Sequence, residues 1–301
     1  MQRKKKSNIK TSNPNNFIKW RWKRLFKSKD LSYRVPVIEN SSLDHIISPK
    51  KQCQITWFGH CTFLIQINGL NIITDPVWSK YMGVEKRLTE NTIFPEDLPQ
   101  IDVVLISHNH YDHLNFKTLK RLNGNPAYML PKRLGDLFKK KSLYNIQEFE
   151  WWNNDRLNDV SITFVPAQHW SKRGIFDTNK SLWGGWVISD LKNDKSIYFS
   201  GDTGYFEEFS KIGNKFDIEY ALLPIGCYEP EWFMSYQHMS PEDSVRAFKD
   251  LNARYFVPMH YDSYRLADDT PRDAIDRLFT AWKDNKLPND NLKVLKIEET
   301  L

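Results

Sequence analysis

VVLISHNHYDH, residues 103–113, decides the fold. Five apolar or small residues end on a polar run that holds His108, His110, Asp112 and His113. Three imidazoles and one carboxylate within six residues cannot all sit in a core, because each needs a polar partner. On a turn, residues two apart can converge on one ion, while Asp112 and His113 point elsewhere. One loop can therefore feed two metal sites. Imidazole with carboxylate suits zinc, and iron or manganese as well. A structural zinc finger would want four closed ligands, usually with thiolates, and no cysteine lies near this loop.

The other histidines extend the pattern. The chain has only eight, and two more fall where apolar runs end: His169 after ITFVPA and His260 after YFVPM. Asp202 follows SIYFSG in the same way. Further runs read as strands: QITWF (54–58), CTFLIQI (61–67), LNIIT (70–74), SITFVP (161–166), LWGGWVIS (182–189), EYALLPIG (219–226) and KVLKI (293–297). Asn68-Gly69 joins two of them as a tight turn, since both residues tolerate positive φ. Asn115 is placed to cap a helix running to Leu122. Ser240-Pro241 and Thr270-Pro271 each open a helix, with a capping hydroxyl, proline at the first helical position and acids in the first turn. Strands cluster first and then alternate with helices. This order predicts an α/β (α+β) chain with two sheets and helices outside them, with the ligand-type residues gathered at one rim.

These residues match a known family. HNHYDH resembles the HxHxDH signature of the metallo-β-lactamase fold. GHCTFLIQINGLNIITDP, LISHNHYDHL, QHW, LWGGW, FSGDTGY, PIGCYEP, WFMSYQHMSPEDSV and MHY resemble the branch of phospholipases D that hydrolyse N-acylphosphatidylethanolamine. The likeness runs from about residue 54 to about residue 280. It implies a four-layer αββα sandwich with the metals at the rim between its sheets. It also implies that His108, His110 and His169 hold one Zn2+ and that Asp112, His113 and His260 hold the other, with Asp202 bridging; Mn2+ or Fe2+ could serve instead. His238, in YEPEWFMSYQHMSPED, resembles a histidine of the substrate pocket, with a role in protonating the leaving group or binding phosphate. Tyr81, in SKYMG, matches a pocket loop.

Other residues are read as structural. His60, in WFGHCTF, is expected to orient neighbours, and His45 to carry no chemistry. Trp151-Trp152, Trp183 and Trp186 are read as core. Gly184-Gly185 suggests close backbone approach and lacks the context of a nucleotide loop.

The composition, 40% hydrophobic and 14% aromatic, is that of a folding chain. Charge is unevenly placed. Residues 1–30 hold eleven Lys or Arg and one acid, Asp30, so the other 271 residues sum to −4. A basic tail on an acidic body points to an anionic membrane surface and away from nucleic acid. Residues 1–16 are polar and expected to be disordered. Ile18, Trp22, Leu25 and Phe26 share one face at helical spacing, as a helix packed on the body or as an interfacial membrane helix. The domain reading is a tail over 1–50 and a hydrolase domain over 51–301. No apolar run long enough to span a membrane and no secretory leader is read. Three cysteines without CxxC spacing fit a reduced compartment. The expectation is a cytoplasmic, peripherally membrane-associated protein, with a homodimer left open.

Two metals about 3.5–4 Å apart can share a hydroxide of lowered pKa, which attacks phosphorus. The expected reaction is phospholipase D-like phosphodiester hydrolysis of N-acylphosphatidylethanolamine or a related phospholipid. The alternative is hydrolysis of a lactone or another C–O or C–N bond by the same metals. A non-enzymatic nucleic-acid or metal-binding scaffold is disfavoured by the complete ligand set.

Overall fold

Successive residues of the first strands pack into two different clusters, which assigns these strands two covered faces. In the computed structural model, which describes residues 20, 22, 31–38, 43–48 and 53–301, the helix α1 (Asp44–Ile47) precedes strands β1 (Cys53–Trp57), β2 (Phe63–Ile67), β3 (Leu70–Thr74), the short pair β4 (Tyr81–Met82) and β5 (Glu85–Lys86), and β6 (Val103–Leu105). Then follow α2 (Phe116–Leu119), β7 (Ala127–Pro131), α3 (Gly135–Lys139), β8 (Ile146–Phe149), β9 (Asn154–Leu157), β10 (Val160–Val165), β11 (Gly185–Asp190) and β12 (Lys195–Phe199). The chain continues through α4 (Glu208–Lys215), β13 (Ile218–Pro224), α5 (Glu231–Met234), α6 (Pro241–Asp250), β14 (Tyr255–Met259) and α7 (Pro271–Asp284). Phe63, Ile65, Ile72, Val103 and Leu105 join Phe164 and Trp186 in the cluster between two sheets. The residues between them in sequence, Leu64, Ile73 and Val104, pack with Phe138 and Leu119 on the opposite face. A strand with both faces covered loses the apolar–polar alternation of a half-exposed one, which is why these segments read as continuous apolar runs.

The first sheet has the order β1-β2-β3-β6-β7-β8 and the second β14-β13-β12-β11-β10-β9. Helices α6 and α7 pack together, and α6 lies on β13. Helices α1, α2 and α3 contribute Ile46, Leu119 and Phe138 to the outer face of the first sheet. The architecture is therefore helix, sheet, sheet, helix, with Trp186 crossing the middle: its indole N–H donates to the Ile106 carbonyl at 3.0 Å. Strands β3, β6 and β7 are mutually parallel, as are β12, β13 and β14. Their C-terminal ends thus lie along common edges, the usual place for ligand-binding loops in such sheets.

Several expectations meet differences. KVLKI forms no strand. Isolated bridges take its place: Leu292, just before it, with Phe256, Ile297 at its end with Val37, and then Thr300 with Thr56. The segment crosses from the edge strand of one sheet to that of the other. Glu298 breaks it at φ 69°, and its buried carboxylate accepts the N–H groups of Thr92 (2.6 Å) and Ile93 (2.8 Å). The helix capped by Asn115 (accepting from Thr118 N–H at 2.9 Å) ends at Leu119 and does not reach Leu122. Trp186 is core, but Trp151 is 38% exposed on the surface. The expected helix around residues 17–27 falls outside the described residues except at Trp20 and Trp22, as do the disordered segment 1–16 and most of the basic tail. No helix among the described residues is long and apolar enough to cross a membrane.

Candidate metal centre

Each ligand-type side chain leaves the end of a strand. β6 delivers the loop His108–His113, β12 delivers Asp202 and β14 delivers His260, while β10 leads into His169. The two sheets meet here because glycine allows it. Gly201 sits at φ 59°, and a Cβ there would meet the Ser107 Cβ at 2.6 Å. Gly184 donates its N–H to the Ser107 carbonyl at 3.1 Å, and its own Cβ would lie 2.3 Å from the Val165 carbonyl. The close backbone approach expected of Gly184-Gly185 is present.

Among the described residues, four overlapping groups of donor atoms each lie within 4.8 Å of one another: His108, His110, His169 and Asp202; Asp112, His113, Asp202 and His260; His60, Cys61, His113 and His260; and Asp75, His108 and His113. The first two share Asp202 and use the strand-end residues; the last two draw on the buried Cys61, His60 and Asp75 behind them. In the first, His110 Nδ1 lies 2.9 Å from His108 Nε2 and 3.3 Å from His169 Nε2. Nitrogen donors around a tetrahedral zinc at 2.0–2.1 Å would stand about 3.3 Å apart. In the second, Asp112 Oδ2 lies 3.4 Å from His113 Nε2 and 3.5 Å from His260 Nε2. Asp202 belongs to both: Oδ1 is 3.1 Å from His260 Nε2, while Oδ2 is 3.2 Å from His113 Nε2 and 3.8 Å from His169 Nε2. Among the described residues, the buried atoms His113 Nε2, His260 Nε2 and Asp202 Oδ1 make no hydrogen bond. Buried polar atoms are normally hydrogen-bonded, so imidazole and carboxylate atoms that converge at ion-pair distance without a hydrogen bond fit divalent cations.

The electrostatics point the same way. Burial lowers His108 and His169 well below the ordinary histidine value, with His113 adding to the effect at His108 and Asp202 opposing it at His169. Burial also presses on His113 and His260, but the Asp202 and Asp112 carboxylates outweigh it. His113 is held well above its ordinary value and His260 at about 9. Asp112 and Asp202, which burial alone would raise, are held well below theirs by the charge on His113. Two carboxylates in a buried cluster demand positive charge. Protonated His113 and His260 supply it in the absence of cations, and divalent ions can take their place.

A supporting layer orients these groups. His113 Nδ1 donates to Asp75 Oδ2 at 2.7 Å, and Ser107 donates to the same carboxylate from N (2.7 Å) and Oγ (2.5 Å). His169 Nδ1 donates to the Gln237 carbonyl at 2.9 Å. His60, read from sequence as an orienting residue, sits 3.1 Å from Asp112 Oδ2 through Nε2. Arg173 holds the metal loop by its backbone, donating to the carbonyls of Asn109 (3.1 Å) and Leu114 (2.8 Å) and stacking 4.0 Å over the Tyr111 ring. Asp75, Ser107 and Arg173 were not singled out from sequence. Asp75 had a signal, a carboxylate just past the apolar run LNIIT, like Asp202 past SIYFS. Arg173 had none, because its partners are main-chain carbonyls.

The centre opens into a cleft of about 1030 Å³ lined by His110, Asp112, Asp202 and His238 together with apolar Trp170, Phe233, Met234 and Leu266. His238 is buried, with Nδ1 3.8 Å from Asp202 Oδ2. Burial holds it down at about 4, against the pull of Asp202. Tyr81 lies in the hairpin whose Met82–Glu85 line the cleft, but the residue itself is 56% exposed and does not line it. His45 is remote: its carbonyl accepts from Gln54 at 2.7 Å.

Comparison with known proteins gives a family. The beta-lactamase superfamily domain matches residues 70–261. The chain is 34% identical over 256 residues to N-acyl-phosphatidylethanolamine-hydrolyzing phospholipase D 1 of Caenorhabditis elegans, covering 77% of this chain and 71% of that protein. It is 32% identical over 241 residues to the mitochondrial N-acyl-phosphatidylethanolamine-hydrolyzing phospholipase D of Saccharomyces cerevisiae, covering 74% of this chain but only 51% of that one. A metallo hydrolase structure from Ignicoccus hospitalis shares the fold, with a TM-score of 0.61 at 23% identity over 83% of this chain and 97% of that chain. The αββα layers, the paired donor groups and these relatives together make the chain a metal-dependent hydrolase of the beta-lactamase superfamily, on the branch that contains the N-acyl-phosphatidylethanolamine-hydrolyzing phospholipases D.

Proposed function

We propose that the protein is a dinuclear zinc phosphodiesterase that cleaves N-acylphosphatidylethanolamine or a related phospholipid with phospholipase D regiochemistry. The observation that carries the reading is Asp202, whose Oδ1 meets His260 and whose Oδ2 lies between His113 and His169, so that one carboxylate reaches both donor groups within one cleft. In this reading His108, His110 and His169 hold one ion, Asp112, His113 and His260 the other, and Asp202 both. Bound there, two ions supply Lewis-acid polarisation of a phosphoryl oxygen and bring a water's pKa toward neutrality.

The chain's own residues do the rest. Asp75 fixes the tautomer of His113, so its Nε2 lone pair faces the site. His238 is neutral at ordinary pH because burial lowers it to about 4. It therefore serves as a hydrogen-bond donor to a phosphoryl oxygen and not as a fixed cation. A donor aimed where charge develops is worth about a hundredfold or more in rate. The apolar wall of Trp170, Phe233, Met234 and Leu266 suits an acyl-bearing substrate and keeps bulk water from the reacting centre. The hydrolase domain is read over residues 51–301, with Val35 and Ile46 of the preceding segment packed into its core, and the basic segment 1–30 attracts the protein to an anionic leaflet. The support from relatives is their activity: both named enzymes are N-acyl-phosphatidylethanolamine-hydrolyzing phospholipases D. The test is zinc-loaded protein assayed on bis(4-nitrophenyl) phosphate and on a panel of lactones. Phosphodiester turnover is expected, and lactone turnover with none on phosphodiesters would remove the reading.

A further inference from the structure

A residue of the basic N-terminal segment reaches the metal cleft. Trp20 lines it together with Phe233, Met234 and Leu266. Its indole N–H donates to Asp268 Oδ2 at 2.8 Å. Its ring lies 5.8 Å from the Phe233 ring, centre to centre, tilted by 39°. Trp20 is half-buried. Trp22, two positions on, is 63% exposed and does not line the cleft. Helical spacing puts Trp22 on one apolar face with Ile18, Leu25 and Phe26 and leaves Trp20 off that face. The two tryptophans thus have different surroundings, and only one of them belongs to the site.

The surface that receives Trp20 is a braced corner. Asp268 N–H donates to the Glu229 carbonyl at 3.0 Å. The Asp269 carboxylate accepts the N–H groups of Cys227 (2.8 Å) and Glu229 (3.1 Å). These bonds tie the loop after β14 to the segment that enters α5, the helix that carries Phe233 and Met234. Leu31 lines a small recess on the same loop with Leu266, Ala267 and Asp269. The N-terminal segment therefore meets this corner at two points, Trp20 and Leu31.

An indole joins a large apolar plate to one polar handle. Asp268 takes the handle, which fixes the plate beside the Phe233 ring. Glu85, Lys172, Arg173 and Arg265 line the cleft as well and carry both signs of charge; what Trp20 adds is apolar area. We infer that Trp20 is a substrate-binding residue, its indole forming part of the wall on which an acyl chain of the lipid packs. The N-terminal segment is then part of the substrate site, in addition to its attraction to an anionic surface. The inference rests on the lipid reading of the site, and it requires binding but no turnover.

The test is calorimetric titration of zinc-loaded, full-length protein with phosphate monoesters, which hold no phosphodiester to cleave. Dihexanoyl phosphatidic acid and N-hexanoyl phosphoethanolamine carry the acyl chains of the two halves of the substrate, and glycerol 3-phosphate carries none. Trp20→Ala is expected to weaken binding of at least one acylated ligand about tenfold, the size of one lost apolar contact. Which of the two it is names the chain that lies at Trp20. Trp20→Phe, which keeps an aromatic ring, should lose less, and Trp22→Ala should bind every ligand as the wild type does. All three variants should keep the wild-type affinity for glycerol 3-phosphate, the metal content and the Tm. Wild-type affinity of Trp20→Ala for both acylated ligands overturns the inference. So does an equal loss in Trp22→Ala, an equal loss for glycerol 3-phosphate, or a wild type that binds neither acylated ligand. Trp20-dependent binding by a protein that turns over no phosphodiester supports the inference and removes only the proposed reaction. Phosphodiester turnover by a protein whose acyl affinity ignores Trp20 does the reverse.

Discussion

His113 donates from Nδ1 to a fully buried carboxylate, Asp75 Oδ2, at 2.7 Å, and this bond leaves its Nε2 facing Asp112 and Asp202. The tautomer of one side chain is thus set by a residue on the neighbouring strand's end. Carboxylates that orient a metal-binding histidine typically matter tenfold to a hundredfold in metal affinity. Asp75→Asn should therefore weaken zinc retention by about that factor, with less effect on the ion nearer His108. Competition with a graded chelator checks it; wild-type retention in the variant would show that Asp75 is only a packing residue.

The sharing of Asp202 predicts an asymmetry between ligand deletions. Wild-type protein purified without chelator should carry about two ions per chain, one for each of the donor groups that share Asp202. His108→Ala should lose one ion first, whereas Asp202→Ala should lose both and nearly all activity. Elemental analysis that finds equal metal in the two variants would argue against a shared carboxylate.

His238 touches neither donor group at bonding distance, since its Nδ1 lies 3.8 Å from Asp202 Oδ2. His238→Ala is expected to keep both ions and to lower kcat by about a hundredfold, with KM little changed, the size of one lost donor or acid–base contribution. Metal content and steady-state kinetics on a soluble phosphodiester separate the two effects. Full activity in the variant would return His238 to a structural role.

Metal-free protein should show a bell-shaped stability profile. His60 is lowered to about 3 and His238 to about 4, chiefly by burial. Unfolded histidines titrate near 6.5, so below that pH the unfolded state binds protons that these two refuse. Each then costs stability at roughly 1.4 kcal/mol per pH unit as pH falls from 6.5 toward 4. His260 is raised to about 9 by Asp202 and Asp112 against its burial. Its contribution is complete below 6.5 and is lost as pH climbs to 9. Urea midpoints of chelated protein should peak near pH 6.5 and fall on both sides, and zinc should abolish the alkaline fall. A flat profile from pH 5 to pH 9 would contradict these environments.

Much of the site was legible because its residues announce themselves by type. His108, His110, Asp112 and His113 follow one apolar run, and strand ends carry His169, Asp202 and His260. A buried strand followed at once by a ligand-type residue is a strong local signal. What could not be read is set by long-range contact. Arg173 grips carbonyls about sixty residues away. KVLKI has a strand's composition, yet it spans two sheet edges. Strand β8 is an edge strand with exposed Gln147 and Glu148, so its pattern resembles a loop. The exposed tips at Val84 and Phe176 look like core residues by type, and only the fold shows that nothing covers them.

The central claim is that this cleft cleaves the phosphodiester of a phospholipid on the headgroup side. The direct measurement is product analysis after zinc-loaded protein is incubated with mixed phospholipids that include N-acylphosphatidylethanolamine. The account predicts phosphatidic acid and the free N-acylethanolamine, both absent with Asp202→Ala. Diacylglycerol, free fatty acid, or no phospholipid product from a fully metal-loaded protein would contradict it.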